Sequence, residues 1–153
     1  ATATPTELPK PAPPPKPAPE QKASEEDQIR AFLVAHHKKR NDRDLDGLIS
    51  TYAPVARTNG VVMTHERIRA WEAKNFASGP RILEKVVSRI SLERRAGNQF
   101  AARYEVAFEK QAPKADDVRS IANVQMEVSL TQSGPKIISE EVRVHRREPI
   151  RNQ

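Results

Sequence analysis

The chain has 153 residues and a net charge of +6, from 26 basic and 20 acidic side chains, with 13 prolines and no cysteine. That length suits one domain core of ordinary size. Without cysteine there is no disulfide framework, zinc–thiolate site or thiol nucleophile, and no apolar run approaches the roughly 20 residues of a membrane-spanning helix.

Eight of the 13 prolines fall between Pro5 and Pro19, among Ala, Lys and Glu. Proline fixes φ and donates no backbone hydrogen bond, so residues 1–23 read as an extended, disordered spacer. The chain opens on Ala1 rather than Met and runs straight into this tract, which reads as a piece of a longer protein. A Pro/Lys/Ala spacer ahead of a folded domain suits a tether in the cell envelope, so a periplasmic or extracytoplasmic location is the expectation. The folded domain is expected over residues 24–147, with a frayed tail at 148–153.

Ser24 is placed to cap a first helix, with Glu25, Glu26 and Asp27 in its first turn. Ile29, Phe32, Leu33 and His36 then recur at helical spacing, and Lys38, Lys39 and Arg40 suit the far end of the dipole. A short second helix is predicted from Asp44 to Tyr52, stopped by Pro54. Asn59-Gly60 between short apolar runs signals a small hairpin. Thr64 caps a third helix to about Phe76, with Ile68 and Trp71 facing inward and Gly79-Pro80 ending it. Four alternating stretches follow. They are Ile82 to Leu92, Phe100 to Phe108, Ala122 to Leu130 and Ile138 to Val144. Period two over such lengths means strands with one dry and one wet face. The fold class is therefore α+β: a cone-like curved antiparallel sheet of about four long strands plus a small hairpin, packed on three N-terminal helices.

This order, together with three local phrases, resembles the nuclear transport factor 2-like (SnoaL-like, ketosteroid-isomerase-like) superfamily. Asp44-Leu45-Asp46-Gly47-Leu48-Ile49-Ser50-Thr51-Tyr52-Ala53 resembles its second helix, D-x-D-x-L-x-x-x-Y-A/F. Gly60-Val61-Val62 with Thr64-His65-Glu66-Arg67-Ile68 resembles the hairpin and third-helix start. Ile137-Ile138-Ser139-Glu140-Glu141 resembles the final-strand phrase, without its tryptophan. The resemblance spans about residues 25–147. It implies a fold used by ketosteroid isomerases and scytalone dehydratase, and also by non-catalytic modules of the bacterial envelope. Those modules are appended to cell-wall L,D-transpeptidase-like enzymes or belong to type IV secretion proteins.

Glu140 is the most informative titratable residue. Its parity with Ile138, Val142 and Val144 places a carboxylate on the dry face, where it must be paired or shifted in pKa. It is the one weak candidate for an acid or base. Tyr52, Trp71, Tyr104, Phe108 and Met126 join it as candidate pocket residues. His36 and His37 point about 100° apart on a helix and cannot chelate one ion together. They are expected to pack half-buried or stay solvated, and His65 and His145 have no evident partner carboxylate. No metal site and no cofactor motif is found. Lys38, Lys39 and Arg40, Arg94 and Arg95, and Arg146 and Arg147 form basic clusters that suit an anionic partner if the last two pairs converge. Aromatics make up only 5% of the chain, which argues against nucleic acid.

The expectation is a non-catalytic interaction or ligand-binding accessory domain, tethered by its proline-rich segment. Its partner would be another protein or a domain of the same parent chain, with a small apolar ligand possible. The first alternative is a small isomerase- or dehydratase-like enzyme using Glu140; the second is a binder of an anionic polymer. The outer sheet face mixes Arg103, Glu105, Asn123, Gln125, Glu127, Glu141 and Arg143, so a monomer or weak homodimer is expected.

Overall fold

The computed structural model describes residues 18–78, 81–111, 113–114 and 117–150, the first six of them as backbone. Residues 1–17 of the proline-rich tract, and Gly79-Pro80, lie outside the described residues. The elements in chain order are α1 (Ala18–Asn41), α2 (Leu45–Ser50), β1 (Tyr52–Thr58), β2 (Val61–Thr64), α3 (His65–Ala77), β3 (Ile82–Val86), β4 (Ser91–Arg94), β5 (Gln99–Lys110), β6 (Val118–Thr131) and β7 (Gly134–Pro149).

The strands form one curved, unclosed sheet in the order β2-β1-β7-β6-β5-β3. β4 also pairs with β5, along Phe100–Arg103, while β3 takes Val106–Lys110. All pairings are antiparallel except β1 with β7. The inner face carries Phe100, Tyr104, Val106, Val124, Met126, Val128 and Ile137. Ile29 and Leu33 of α1, Leu48 and Ile49 of α2 and Ile68 of α3 complete the core.

Several boundaries differ from the sequence pattern for local reasons. α1 starts at Ala18, so Ser24 lies inside the helix rather than capping it; Pro19 is tolerated because first-turn N–H groups have no intrahelical partner. α2 ends at Ser50, and Tyr52 opens β1, because Thr51 N bonds back to Leu48 O while Ile137 N takes Thr51 O. The stretch from Ile82 to Leu92 is two strands, not one. At the break, Ser88 Oγ receives the Glu105 N–H at 2.7 Å in place of a ladder carbonyl. β7 runs to Pro149, opposite Val118, rather than fraying at 148. There Arg119 pairs with Glu148 at 3.0 Å.

One irregularity positions the site. Val128 faces Ile137 and Glu127 faces Ser139, so Ile138 is the extra residue of a β-bulge. Ile137 and Glu140 therefore both turn inward, and Ile138 does not take the buried place that simple alternation gives it. The Asn59-Gly60 turn then fixes this part of β7. Both residues have positive φ (49° and 83°), the conformation of the favoured two-residue hairpin. Asn59 N donates to Glu140 O at 2.7 Å, and Asn59 Oδ1 accepts Val142 N–H at 2.9 Å.

Candidate site: a buried polar floor beneath a cavity

The last turns of α1 bring His36, His37, Arg40 and Asn41 to the sheet. The Asn41 side chain acts as a short extra strand on β3: its Nδ2 donates to Glu84 O and its Oδ1 accepts Glu84 N–H, both at 2.7 Å. Glu84 is thereby aimed at Arg40. The Arg40 guanidinium reaches Glu84 Oε1 at 3.2 Å through Nη1, and Glu72 Oε1 and the Tyr52 hydroxyl at 3.1 Å through Nη2. Tyr52 in turn donates to Glu140 Oε1 at 3.0 Å. One cation thus joins α1, α3, β3 and β1, and through Tyr52 reaches β7.

Each histidine lies against its own carboxylate. His37 Nδ1 lies 2.7 Å from Glu84 Oε1, and its Nε2 lies 2.7 Å from the Tyr104 hydroxyl. His36 Nδ1 lies 2.8 Å from Thr51 Oγ1, and its Nε2 lies 3.4 Å from Glu140 Oε2. Leu48 O already accepts Thr51 N–H at 3.1 Å. Leu48 O also accepts the Thr51 hydroxyl proton, at 2.6 Å, so the Thr51 oxygen accepts from His36 Nδ1–H and the unprotonated Nε2 faces Glu140 Oε2, with neither atom holding a hydrogen bond. One relay results, hydroxyl to imidazole to carboxylate, along Tyr104–His37–Glu84; His36 is anchored on Thr51 and only approaches Glu140.

Burial lowers His36 to about 4, against the opposing pull of Glu140. Burial alone would raise Glu140, but the close approach of His36 and the Arg40 charge outweigh it and hold Glu140 at about 2. Glu84 is likewise depressed: burial is overcome by Arg40 and by His37. Glu72 goes the other way, with burial raising it more than Arg40 lowers it. Burial raises Tyr104, and it raises Tyr52 as well.

These groups floor a cavity of about 910 Å³ between α3, the β1–β2 hairpin and β3. Tyr52, Glu72, Glu84 and Glu140 lie deepest, beside Arg40. Met63, Ile68, Phe76 and Ile82 form apolar walls, and Arg43, Arg67, Trp71 and Lys74 stand exposed at the mouth. The volume is that of a small-molecule site.

Of the sequence-derived pocket residues, Tyr52, Trp71 and Glu140 line the cavity. Tyr104, Met126 and Phe108 do not; they belong to the core or pack against it. Trp71 is 60% exposed rather than inward, because the buried position on that helix face is held by its neighbour Glu72. His36 and His37 are fully buried and networked, not half-solvated. His145 has a partner, with its Nε2 3.6 Å from Glu105 Oε2, and His65 Nε2 bonds Tyr52 O at 2.8 Å.

The basic clusters do not form one surface. Arg40 is occupied inside, and Lys38 pairs with Asp42 at 2.6 Å. Arg94 pairs with Glu25 and stacks on Phe100; Arg95 lies 3.8 Å from Glu93. The Arg94 end of the sheet meets Val128 through Phe100, whereas Arg146 and Arg147 lie opposite Ile121 and Ser120. These positions are about 24 Å apart along β6. Arg146 is held by Glu105 at 3.3 Å. Among the described residues no group of acidic or histidine side chains has metal-binding geometry.

No protein-family profile and no curated protein matches the sequence. Solved structures do. A Novosphingobium aromaticivorans protein provisionally named a scytalone dehydratase aligns with TM-score 0.72 at 10% identity, over 88% of this chain and 93% of its own. An NTF2-like protein of unknown function from Pseudomonas putida aligns with TM-score 0.65 at 15% identity, over 80% and 87%. Bd1075 of Bdellovibrio bacteriovorus aligns with TM-score 0.65 at 12% identity, over 84% of this chain but 44% of Bd1075. The fold is thus the NTF2-like, cystatin-like α+β fold.

Two predictions follow from the network. Arg40→Ala leaves Glu72 and Glu84 without their cation and should cost about 3 kcal/mol or more in urea unfolding, as for other broken buried pairs. A cost under about 0.5 kcal/mol, typical of a surface change, contradicts the geometry. The second concerns pH. His36 is depressed from 6.5 to about 4 in the fold, so the unfolded chain binds its proton first. Stability should fall as pH drops from 6.5 toward 4, by at most ~1.4 kcal/mol per pH unit for this one proton. Below 4.5 the depressed Glu140 adds to the loss. His36→Gln should flatten the 6.5-to-4 segment, and equal slopes in the two proteins would refute the assignment.

Proposed function

We propose that the chain is a non-catalytic ligand-binding module that holds a small, largely apolar molecule in the α3–hairpin cavity. The observation that carries this is the cavity itself. It has apolar walls, and its polar groups lie at a floor where they mostly satisfy one another. An apolar ligand enters such a space without stripping water from unpaired charges.

The alternative, an isomerase- or dehydratase-like enzyme, finds support in Glu140 on the cavity wall with the Tyr52 hydroxyl at 3.0 Å. A general base works best with a pKa near the working pH. Glu140, held at about 2 and bonded by Tyr52, is a weak base, which favours binding over catalysis.

The module reading extends to its setting. We place it in the bacterial envelope, tethered through the proline-rich segment to a partner protein or a further domain of its parent chain. Two facts support this: the proline tract, and the alignment to less than half of Bd1075, where this fold is part of a longer protein. The exposed outer sheet rows Arg103–Gln125–Glu141 and Glu105–Asn123–Arg143 mix charges of both signs, which suits a monomer or weak dimer.

The test is binding of the neutral fluorophore N-phenyl-1-naphthylamine. Ala70 lines the cavity from the exposed side of α3. Ala70→Phe should fill the space and weaken binding about tenfold or more, as lost access to a pocket does, with the urea midpoint unchanged. No saturable binding by the unaltered chain, or equal binding by the variant, would refute the cavity as the site.

A further inference from the structure

The cavity separates its charges. Its carboxylates, Glu72 and Glu84 beside Arg40 and Glu140 beside Tyr52 and His36, all lie at the floor. Its mouth carries Arg43, Arg67 and Lys74, and none of the three makes an ion pair among the described residues. Arg43 and Arg67 bond only backbone oxygens, Phe76 O at 2.6 Å and Val62 O at 3.3 Å, which leave their charge uncompensated.

The mouth also has a shaped edge. Arg67, Trp71 and Lys74 stand at i, i+4 and i+7 on α3, so the indole lies between two cations on one helix face, about 10 Å from end to end. Arg43 reaches the same end of α3 from the α1–α2 connection through its bond to Phe76 O.

We propose that the cavity takes a small amphiphile with a single anionic headgroup, its apolar body against Met63 and Ile68 and its carboxylate, sulfonate or phosphate at the mouth beside Trp71. This rests on the ligand-binding reading above and adds the charge and direction of the ligand. An anion sent to the floor would meet three carboxylates. A cation there would have to compete with Arg40, and a cation at the mouth would meet three like charges. Only tail-in, anion-out places the ligand's charge against cations that make no ion pair among the described residues. Exposed ion pairs are individually weak, so the three cations together are worth about tenfold in affinity.

The chain has one tryptophan, and it stands at the mouth, so its fluorescence reports occupancy. The full chain is titrated at low salt with decanoate, decanol and decylammonium, which share a tail and differ in head charge. Decanoate should bind about tenfold more tightly than decanol, and decylammonium more weakly than decanol. The decanoate advantage should shrink at about 0.5 M salt and fall to about twofold in the Arg67→Gln/Lys74→Gln double variant, which leaves Arg43 alone at the mouth, both substituted sites being exposed. Equal affinity for decanoate and decanol, preference for the amine, or an advantage undiminished by the double substitution overturns the anion assignment while the ligand-binding reading stands. Anion preference seen only with anionic vesicles, and not with monomeric decanoate, overturns it as well. No saturable response to any of the three defeats both.

Discussion

A guanidinium enclosed by carboxylates at the centre of the cone is the constraint on which the rest of this structure depends. Burying a cation is costly unless it is paired and its hydrogen bonds are made. Arg40 meets that demand at both Nη atoms, with groups from three elements, Glu72 of α3, Glu84 of β3 and Tyr52 of β1, and leaves only its Nε without a partner. Apolar packing between helix and sheet tolerates small slides; directional bonds to a planar fork do not. The same residue that neutralises the interior therefore sets how α1 lies on the sheet. Asn41, one residue on, locks that register by bonding both backbone groups of Glu84.

The functional reading grows from the same arrangement. Because Arg40, His37 and Tyr52 hold most of the carboxylate oxygens, the floor presents little unpaired charge to a ligand. The space above it is walled by apolar side chains, and the uncompensated charge is displaced to the mouth. Glu140 illustrates the distinction. It sits where an acid–base residue would sit, yet the bonds that stabilise its ionised form also weaken it as a base. Glu72, raised by burial and bonded by Arg40 through one oxygen, is the more proton-responsive carboxylate of the cavity.

Much of the fold was legible because long strands alternate and helices recur at fixed spacings. The three helices, the Asn59-Gly60 hairpin and the long alternating strands are all visible as patterns. So was Glu140, because a carboxylate on a dry strand face breaks the pattern. Glu84 breaks the same pattern between Ile82 and Val86 and carries the same signal. Trp71 misled, since a large aromatic near helical spacing reads as core, whereas its neighbour Glu72 is buried because of a partner 32 residues away. Arg40 read as surface charge at a helix end. Nothing local distinguishes it from Lys38 and Lys39; only the tertiary meeting with Glu72 and Glu84 does. The bulge at Ile138 was hidden too, because one extra residue shifts parity without changing composition. The basic pairs near strand ends gave no clue that the sheet holds them at opposite ends.

The central claim is that the polar floor is closed and that ligands bind above it. A heteronuclear NMR titration with decanoate at pH 7, following the Trp71 indole and the His36 imidazole nitrogens together, tests it most directly. The account predicts that the indole resonance moves with saturation, while His36, held at about 4, stays neutral with its proton on Nδ1 throughout. A His36 that changes tautomer or protonation as ligand binds, with the indole unmoved, would show that ligands act on the floor itself and would contradict the account.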